Sequence, residues 1–339
     1  MKAVIFRSPR APLEVGEWPK PTPAQGQVLV RIKACGICGS DLHAAHSEAT
    51  PVDIVMGHEL GGIVAGLGPG VTRWQVGDRV APLSQISCGR CAACLANRHS
   101  ECAALEIIAL NSKYNGGFAE FVLVGEADIV GIPDAVSFDQ AALLEPLAVG
   151  LDAVRRARLG VDETVLIVGG GPIGLTIAIW CRFFGAIHVI VSEPNAHRRG
   201  LAQRLGATAV IDPLQEKDVR AACIAHARRA PSTVFEAVGL PGFIQKCVDL
   251  AEPHSRVVIA GACQSPELLS AMSCTLKALE LIFPFGYSVA DYAFILECMR
   301  QKRIEADALI SHRIALDRLP AMFETLRHPN DECKVIVEP

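Results

Sequence analysis

Four cysteines crowd into one short segment, and their spacing is that of a metal site. Gaps of two, two and seven residues separate Cys88, Cys91, Cys94 and Cys102. Two-residue gaps let neighbouring sulfurs converge on one cation, and four thiolates complete a tetrahedral zinc site. Because such a site leaves no position for substrate, we predict a structural zinc that stabilises the lobe 88–102. An iron–sulfur cluster is the alternative that this spacing leaves open.

A second set of side chains mixes thiol, imidazole and carboxylate donors. Cys38 belongs to a Cys- and Gly-rich segment, Gly57-His58-Glu59 follows 20 residues later, and Glu145 stands further along the chain. Mixed soft and hard donors suit Zn²⁺ with one coordination position open. As a Lewis acid, Zn²⁺ lowers the pKa of an alcohol and stabilises its alkoxide, which can pass a hydride to a nicotinamide. We therefore predict a catalytic zinc, the second zinc of the chain.

A glycine-rich turn has the pattern of a dinucleotide site, reading Gly169-Gly170-Gly171-Pro172-Ile173-Gly174. It directly follows an apolar run and opens a helical pattern, which is the context that makes G-x-G-x-x-G informative. Gly169 allows the tight turn, Gly171 lets a pyrophosphate approach the backbone, and Gly174 lets helix and strand pack closely. The free N–H groups at the helix N-terminus favour phosphate. Pro172 and Ile173, which open the helix, are candidate cofactor-binding residues, although Pro172 itself has no N–H to donate. We expect a dinucleotide here.

The choice between the two nicotinamide cofactors depends on Glu193, about 20 residues after the last glycine of the turn. A carboxylate there can accept both hydroxyls of the adenosine ribose and repels a 2′-phosphate, which favours NAD over NADP. Arg198 and Arg199 follow closely. Arg198 is a candidate cofactor-binding residue, since either arginine could hold a phosphate if it points inward. As solvated helix residues they would leave the NAD preference unchanged.

The elements that must position these residues fall into two groups. The first ~150 residues predict short strands between Gly and Pro turns, typical of a β-barrel or sandwich; examples are 27–33, 62–67, 118–124 and 128–132. From about residue 151, buried strands alternate with helices, as in a doubly wound parallel sheet. Its predicted strands are 164–169, 188–192, 209–212, 233–237, 256–261 and 279–283. The final stretch reads as helix-rich and ends in a strand at 334–337.

Composition narrows the class of protein. With 339 residues, 50% hydrophobic and 20% charged, the chain has material for about two globular domains. A net charge of −4 gives no basic field for nucleic acid or anionic membranes. No apolar run reaches the ~18 residues of a membrane span, and the N-terminus lacks a signal-peptide pattern. We expect a cytoplasmic protein whose 13 cysteines are thiols and metal ligands.

These motifs together resemble the zinc-dependent medium-chain alcohol dehydrogenases, in the branch of sorbitol, butanediol and threonine dehydrogenases. The zinc signature from Gly57 to Val71, the cysteine lobe, the glycine turn, Phe235-Glu236-Ala237-Val238-Gly239 and Ser311-His312-Arg313 fit in order. The resemblance implies a β-rich GroES-like catalytic domain at 1–149 and 286–339, a Rossmann NAD-binding domain at 150–285, and an active site in the cleft between them. It also implies a homodimer or homotetramer. The apolar segment 279–285 favours such an assembly, because it could form an edge strand that pairs with the same strand of a second copy.

The resemblance also assigns roles around the catalytic zinc. Cys38 and His58 would be ligands, and Glu59 fits the acidic ligand position of the family. Glu145, in Glu-Pro-Leu, resembles the residue that this branch carries at the corresponding position. Ethanol-type members of the family carry Cys there instead. The carboxylate of Glu145 binds zinc either directly or through water.

Two further residues would move the proton of the alcohol. The hydroxyl of Ser40 can take it, and His43 resembles the relay histidine that passes it to solvent through the cofactor ribose. The alternative for His43 is a structural or surface histidine.

One departure from the family bears on substrate. Sugar-alcohol dehydrogenases of this branch tend to carry Arg-Tyr where this chain has Phe285-Gly286-Tyr287. A long polyol is therefore disfavoured relative to a small diol, a hydroxy acid or a more apolar secondary alcohol. Phe118 either lines the pocket or belongs to the core.

We predict NAD(H)-dependent interconversion of a secondary alcohol and its ketone. The alternatives are a nucleotide-binding scaffold or regulator without turnover, and a zinc-free quinone reductase of the same superfamily.

Overall fold

The computed structural model describes residues 1–96, 98–110 and 113–339, which divide into two compact units. One unit comprises Met1–Glu145, Gly286–Lys302 and Ile310–Pro339, and the other comprises Pro146–Phe285 and Arg303–Leu309. Each unit has a buried apolar core of its own.

Strands and helices follow each other along the whole chain. The strands are β1 (Lys2–Phe6), β2 (Glu14–Glu17), β3 (Gln27–Gly36), β4 (Ile54–Val55), β5 (Glu59–Leu67), β6 (Arg79–Pro82), β7 (Gln85–Ile86), β8 (Glu106–Ile107), β9 (Phe121–Gly125), β10 (Ile129–Gly131), β11 (Thr164–Val168), β12 (His188–Ser192), β13 (Ala209–Ile211), β14 (Thr233–Glu236), β15 (Arg256–Ile259), β16 (Glu280–Ile282), β17 (Ile310–Ala315) and β18 (Lys334–Glu338). The helices are α1 (Gly39–Ala44), α2 (Ala92–Leu95), α3 (Phe138–Ala142), α4 (Leu144–Arg156), α5 (Pro172–Phe183), α6 (Ala196–Arg204), α7 (Val219–Ala227), α8 (Phe243–Leu250), α9 (Ala271–Leu276), α10 (Val289–Arg300) and α11 (Leu319–Leu326).

Strand β3 is the centre of the first unit. It pairs antiparallel with β5, β9 and β18, within a sheet of order β10-β6-β5-β3-β18-β17. Two register shifts interrupt the β3–β5 ladder, and such irregularities bend a strand so that it can serve more than one neighbour. At the end of β3, Gly36 lies opposite Glu59 of β5 and Ile336 of β18. Segments distant in sequence therefore meet where β3 ends.

The second unit contains a parallel six-stranded sheet of order β13-β12-β11-β14-β15-β16. Counted from β11, this is the order 3-2-1-4-5-6 of a dinucleotide-binding fold. Every residue of β11 is buried, as expected for a strand covered on both faces. The predicted fold class, a β-rich part with a doubly wound parallel sheet, is confirmed.

Two of the differences from the sequence expectation concern strands of the first unit. The strand expected at 118–124 begins at Phe121, because Phe118 is fully buried in the core and its N–H donates to the carbonyl of Met56 (2.9 Å). The stretch expected to be helix-rich also contains β17, whose side chains are mostly exposed and lack apolar alternation. Within the described residues, no helix is long and apolar enough to cross a membrane.

Candidate functional site

The four cysteines of the lobe come together. One ligand atom from each of Cys88, Cys91, Cys94 and Cys102 lies within 4.8 Å of the others. Backbone N–H groups of Arg90 and Cys91 lower the pKa of Cys88 to about 6, which favours its thiolate at neutral pH. Four converging thiols fit a closed tetrahedral zinc site.

A second group joins Cys38, His58 and Glu59, whose ligand atoms also lie within 4.8 Å of one another. Cys38 caps α1 two residues after the end of β3, and His58 immediately precedes β5, so the β3–β5 pairing brings them together. Ser40, in the first turn of α1, places its hydroxyl 3.4 Å from Nε2 of His58. His58 and Glu59 are buried.

Asp41 organises this group, and sequence reasoning missed it. Its fully buried carboxylate accepts hydrogen bonds from the N–H groups of Cys38 (3.0 Å) and Gly57 (3.3 Å) and approaches Nδ1 of His58 (3.3 Å). Burial lowers the pKa of His58, but Asp41 and Cys38 outweigh it and raise that pKa well above its ordinary value. The group therefore favours added positive charge, which a divalent cation supplies.

Glu59 has a charged partner, Lys334 of β18, which sequence reasoning also missed. Its Oε1 forms an ion pair with Nζ of Lys334 (2.5 Å), which also donates to the carbonyl of Ile37 (3.1 Å). Oε2 of Glu59 is buried and has no hydrogen-bond partner among the residues the structure describes. A buried carboxylate oxygen without a donor is a suitable ligand for a cation.

Glu145 lies outside this group of three among the described residues, and its carboxylate has a tyrosine partner. It stands in the first turn of α4, where Tyr287 donates its hydroxyl to Oε1 (3.0 Å) and Ser84 bonds the same hydroxyl. Burial raises the pKa of Glu145, and His58 partly offsets this. Sequence analysis singled out the stretch with Tyr287 for its missing arginine but did not identify Tyr287 as the partner of Glu145. His43 is exposed on α1.

The glycine turn has the geometry that phosphate binding needs. Gly169 has φ of +103°, and a Cβ at Gly174 would lie 1.9 Å from the carbonyl oxygen of Gly169. At Gly171, which caps α5, a Cβ would meet no atom of the described residues within 4 Å, and none of their side chains caps the helix. Pro172 and Ile173 form the first turn. The helix start is therefore open for an anion.

Glu193 lies beside this turn and Arg199 contacts the backbone of Glu193, but the two side chains have different partners. The buried carboxylate of Glu193 accepts the N–H groups of Gly170 (2.7 Å) and Asn195 (2.8 Å). The guanidinium of Arg199 donates to the carbonyl of Glu193 (2.8 Å) and forms an ion pair with Asp212 (3.0 Å). Arg198 donates its backbone N–H to Asn195 as part of the cap of α6.

Comparison with known proteins places this geometry in a family. Residues 24–134 match the alcohol dehydrogenase GroES-like domain, and residues 172–301 match the zinc-binding dehydrogenase family. The L-threonine 3-dehydrogenase of Saccharopolyspora erythraea is 30% identical over 96% of both chains. A protein described as a zinc-binding dehydrogenase from Sinorhizobium meliloti 1021, bound to NADP, is 32% identical with a TM-score of 0.90, covering 100% of this chain and 99% of its own. The 2R,3R-butanediol dehydrogenase of Bacillus subtilis is 28% identical with a TM-score of 0.87 and the same coverage. The chain belongs to the zinc-dependent medium-chain alcohol dehydrogenase family and is an oxidoreductase of that family.

Proposed function

We propose that this protein interconverts a secondary alcohol and its ketone with NAD(H) as the hydride carrier. The observation that carries the proposal is the convergence of Cys38, His58 and Glu59 within 4.8 Å, with the hydroxyl of Ser40 3.4 Å from His58. Thiol, imidazole and carboxylate together suit a zinc ion with an open position, and bound zinc supplies Lewis acidity toward the alcohol oxygen.

The residues around this group have separate tasks. Asp41 fixes the segments that carry Cys38 and His58, because its carboxylate binds backbone N–H groups of both. Ser40 passes the alcohol proton on, since a hydroxyl is too weak a base to keep it. His43, on the same short helix, receives it for release to solvent.

NAD is the proposed cofactor in preference to NADP. The carboxylate of Glu193 lies at the glycine turn, where it repels a 2′-phosphate. Arg199 is engaged by Asp212 and by backbone carbonyls, which lowers its availability for a phosphate.

Two zinc ions per chain are proposed, and they should exchange differently. The lobe offers four thiols that enclose a cation, whereas the site of Cys38 and His58 leaves a position open. Under mild chelation, metal analysis should find the open-site zinc lost first. Loss of both ions at one rate, or one ion per chain from the start, would contradict this.

The proposed substrate is a small diol or hydroxy acid in preference to a long polyol. The position where sugar-alcohol enzymes tend to carry Arg is Gly286, which has φ of +94°, and a Cβ there would lie 2.1 Å from Cβ of Ser100. An arginine does not fit this backbone, so the multi-hydroxyl contact it would make is missing. Tyr287 and Glu145 instead bond each other.

An alcohol panel tests the proposed function. Purified zinc-loaded protein is incubated with NAD⁺ and 2,3-butanediol, threonine, sugar acids, sorbitol or cyclic alcohols, and NADH absorbance is followed. We expect turnover with at least one small secondary alcohol and none after replacement of Cys38 or His58. Binding of NADH without turnover of any alcohol or ketone would favour a nucleotide-binding scaffold instead.

A further inference from the structure

Lys334 is a fully buried cation beside the candidate catalytic metal site. It opens β18, its side chain is 2% exposed, and its partners are the carbonyl of Ile37 and Oε1 of Glu59. Burying an ammonium group is costly unless it is paired. The burial of Lys334 therefore depends on its pairing with Glu59, which is a candidate metal ligand.

The two oxygens of Glu59 are not equivalent. Oε1 is occupied by Lys334 at 2.5 Å, whereas Oε2 has no hydrogen-bond partner among the described residues. Glu59 can thus offer a cation one free oxygen.

We propose that Lys334 is a positioning residue that restrains Glu59 to one-oxygen, readily reversible contact with the catalytic metal. Because Lys334 restrains Glu59, the metal remains exchangeable and one coordination position remains available to substrate. This inference rests on the proposed zinc site but not on which alcohol is oxidised. Without Lys334, Glu59 would turn both oxygens to the cation and bind it more tightly.

The restraint has a second consequence, in the stability of the metal-free protein. Removing one partner of a buried ion pair leaves an uncompensated charge and destabilises the fold. In the variant, a bound cation would replace the missing ammonium as partner of Glu59. Zinc should therefore raise the melting temperature more in the variant than in the unmodified protein.

The test compares Lys334→Gln, which removes the charge but keeps a hydrogen-bonding group, with Lys334→Arg, which keeps the charge. Lys277→Gln is the matched control, because the ammonium group of Lys277 is part-buried and is likewise held by backbone carbonyls, those of Val248, Asp249 and Ala251. Zinc release to a chromogenic chelator is measured on the zinc-loaded protein without substrate. The absorption spectrum of the cobalt-substituted protein reports coordination, and melting is followed with and without zinc.

For Lys334→Gln we expect release from the open site to slow by roughly tenfold or more, the scale on which the partner of a metal ligand changes metal affinity. The cobalt spectrum should change, and Lys334→Arg and Lys277→Gln should release zinc at the normal rate. Unchanged or faster release from folded Lys334→Gln, or slow release from Lys334→Arg, would overturn the proposal.

If Lys334→Gln does not fold, Glu59→Gln provides the second test. It removes the restrained oxygen itself, so Lys334→Gln added to it should leave zinc release as in Glu59→Gln alone. Slower release in the double variant would show that Lys334 acts otherwise than through Glu59 and would overturn the proposal. If zinc release, the cobalt spectrum and melting behave as expected but no alcohol of the panel is oxidised, only the proposed reaction is contradicted.

Discussion

His43 is exposed on α1, three residues after Ser40, and this placement makes it a test of the proton path. An imidazole exchanges protons readily at neutral pH. We expect His43→Ala to lower kcat for alcohol oxidation by about 10²-fold or less, the effect of one acid–base group. Zinc content and NAD⁺ affinity should change little.

The control is His46→Ala, since His46 is exposed just beyond the same helix and its ring contacts the carbonyl of Leu42 (3.0 Å). Both variants are assayed from about pH 6 to 9, with and without imidazole. Wild-type rates for His43→Ala throughout this range would mean that the proton leaves by another route.

Asp128, in the turn between β9 and β10, predicts a pH dependence of stability. Burial raises its pKa to about 7, although the N–H of Ser87 partly offsets this. The folded state therefore holds a proton that the unfolded state releases near pH 4, so this residue's contribution to stability falls as pH rises from about 4 to 7. We expect Asp128→Asn to raise the free energy of unfolding at pH 8 by roughly 1–3 kcal/mol, with little effect near pH 4.

Asp134→Asn is the control for this prediction, because the carboxylate of Asp134 is fully exposed. Denaturant unfolding at the two pH values measures the difference. A gain for Asp128→Asn that is equal at both pH values would mean that the effect does not come from ionisation of Asp128.

At the scale of elements, the parallel sheet was predictable because its strands are continuous apolar runs. The sequence expectation for 188–192 coincides with β12, and the others deviate at the ends. The glycine turn was predictable for the same local reason. By contrast, β17 follows no apolar pattern, so its sequence contained no signal of a strand. Strand β1 was not anticipated either, although its run Ala3–Phe6 is apolar and buried and carried the same signal as the strands of the parallel sheet.

The turn between β12 and α6 determines the predicted cofactor preference. Glu193 accepts two backbone N–H groups there. We expect kcat/KM to be higher with NAD⁺ than with NADP⁺, and Glu193→Gln to narrow that ratio by roughly 10- to 100-fold, the equivalent of one or two charge-assisted hydrogen bonds. Glutamine keeps the size of the side chain and removes the charge that repels a 2′-phosphate. Steady-state kinetics with both cofactors measure this, and a wild-type preference for NADP⁺ would contradict it.

At the scale of the whole molecule, the site residues that the sequence missed are those whose partners are distant along the chain. Lys334 and Glu59 are 275 positions apart, and Tyr287 and Glu145 are 142 apart. A lone lysine in a C-terminal strand carries no local sign that it will be buried. The metal-ligand candidates were predictable because cysteine and histidine spacings report their chemistry directly. Their supporting contacts depend on the three-way pairing of β3, which no local pattern reports.

The last expectation is that two or four copies of this chain associate. Strand β16 is the edge of the parallel sheet among the described strands, and α9 leads into it. Large apolar side chains there are exposed: Leu268 (94%), Met272 (66%), Leu276 (78%) and Phe283 (61%). An unpaired edge flanked by exposed apolar groups is a template for a second copy. Light scattering at micromolar concentration should give a multiple of the chain mass, 36.1 kDa.

Substitution of these exposed apolar side chains tests whether this surface, and not another, forms the interface between copies. We expect Leu276→Glu and Phe283→Glu to shift the protein to the single-chain mass, because a charge buried in an interface without a partner is costly. The control is Leu214→Glu, since Leu214 is equally exposed (76%) but follows β13 at the other edge of the sheet. It should leave the assembly intact. A 36.1 kDa particle for the unmodified protein would refute association, and loss of assembly only in Leu214→Glu would move the interface to the β13 edge.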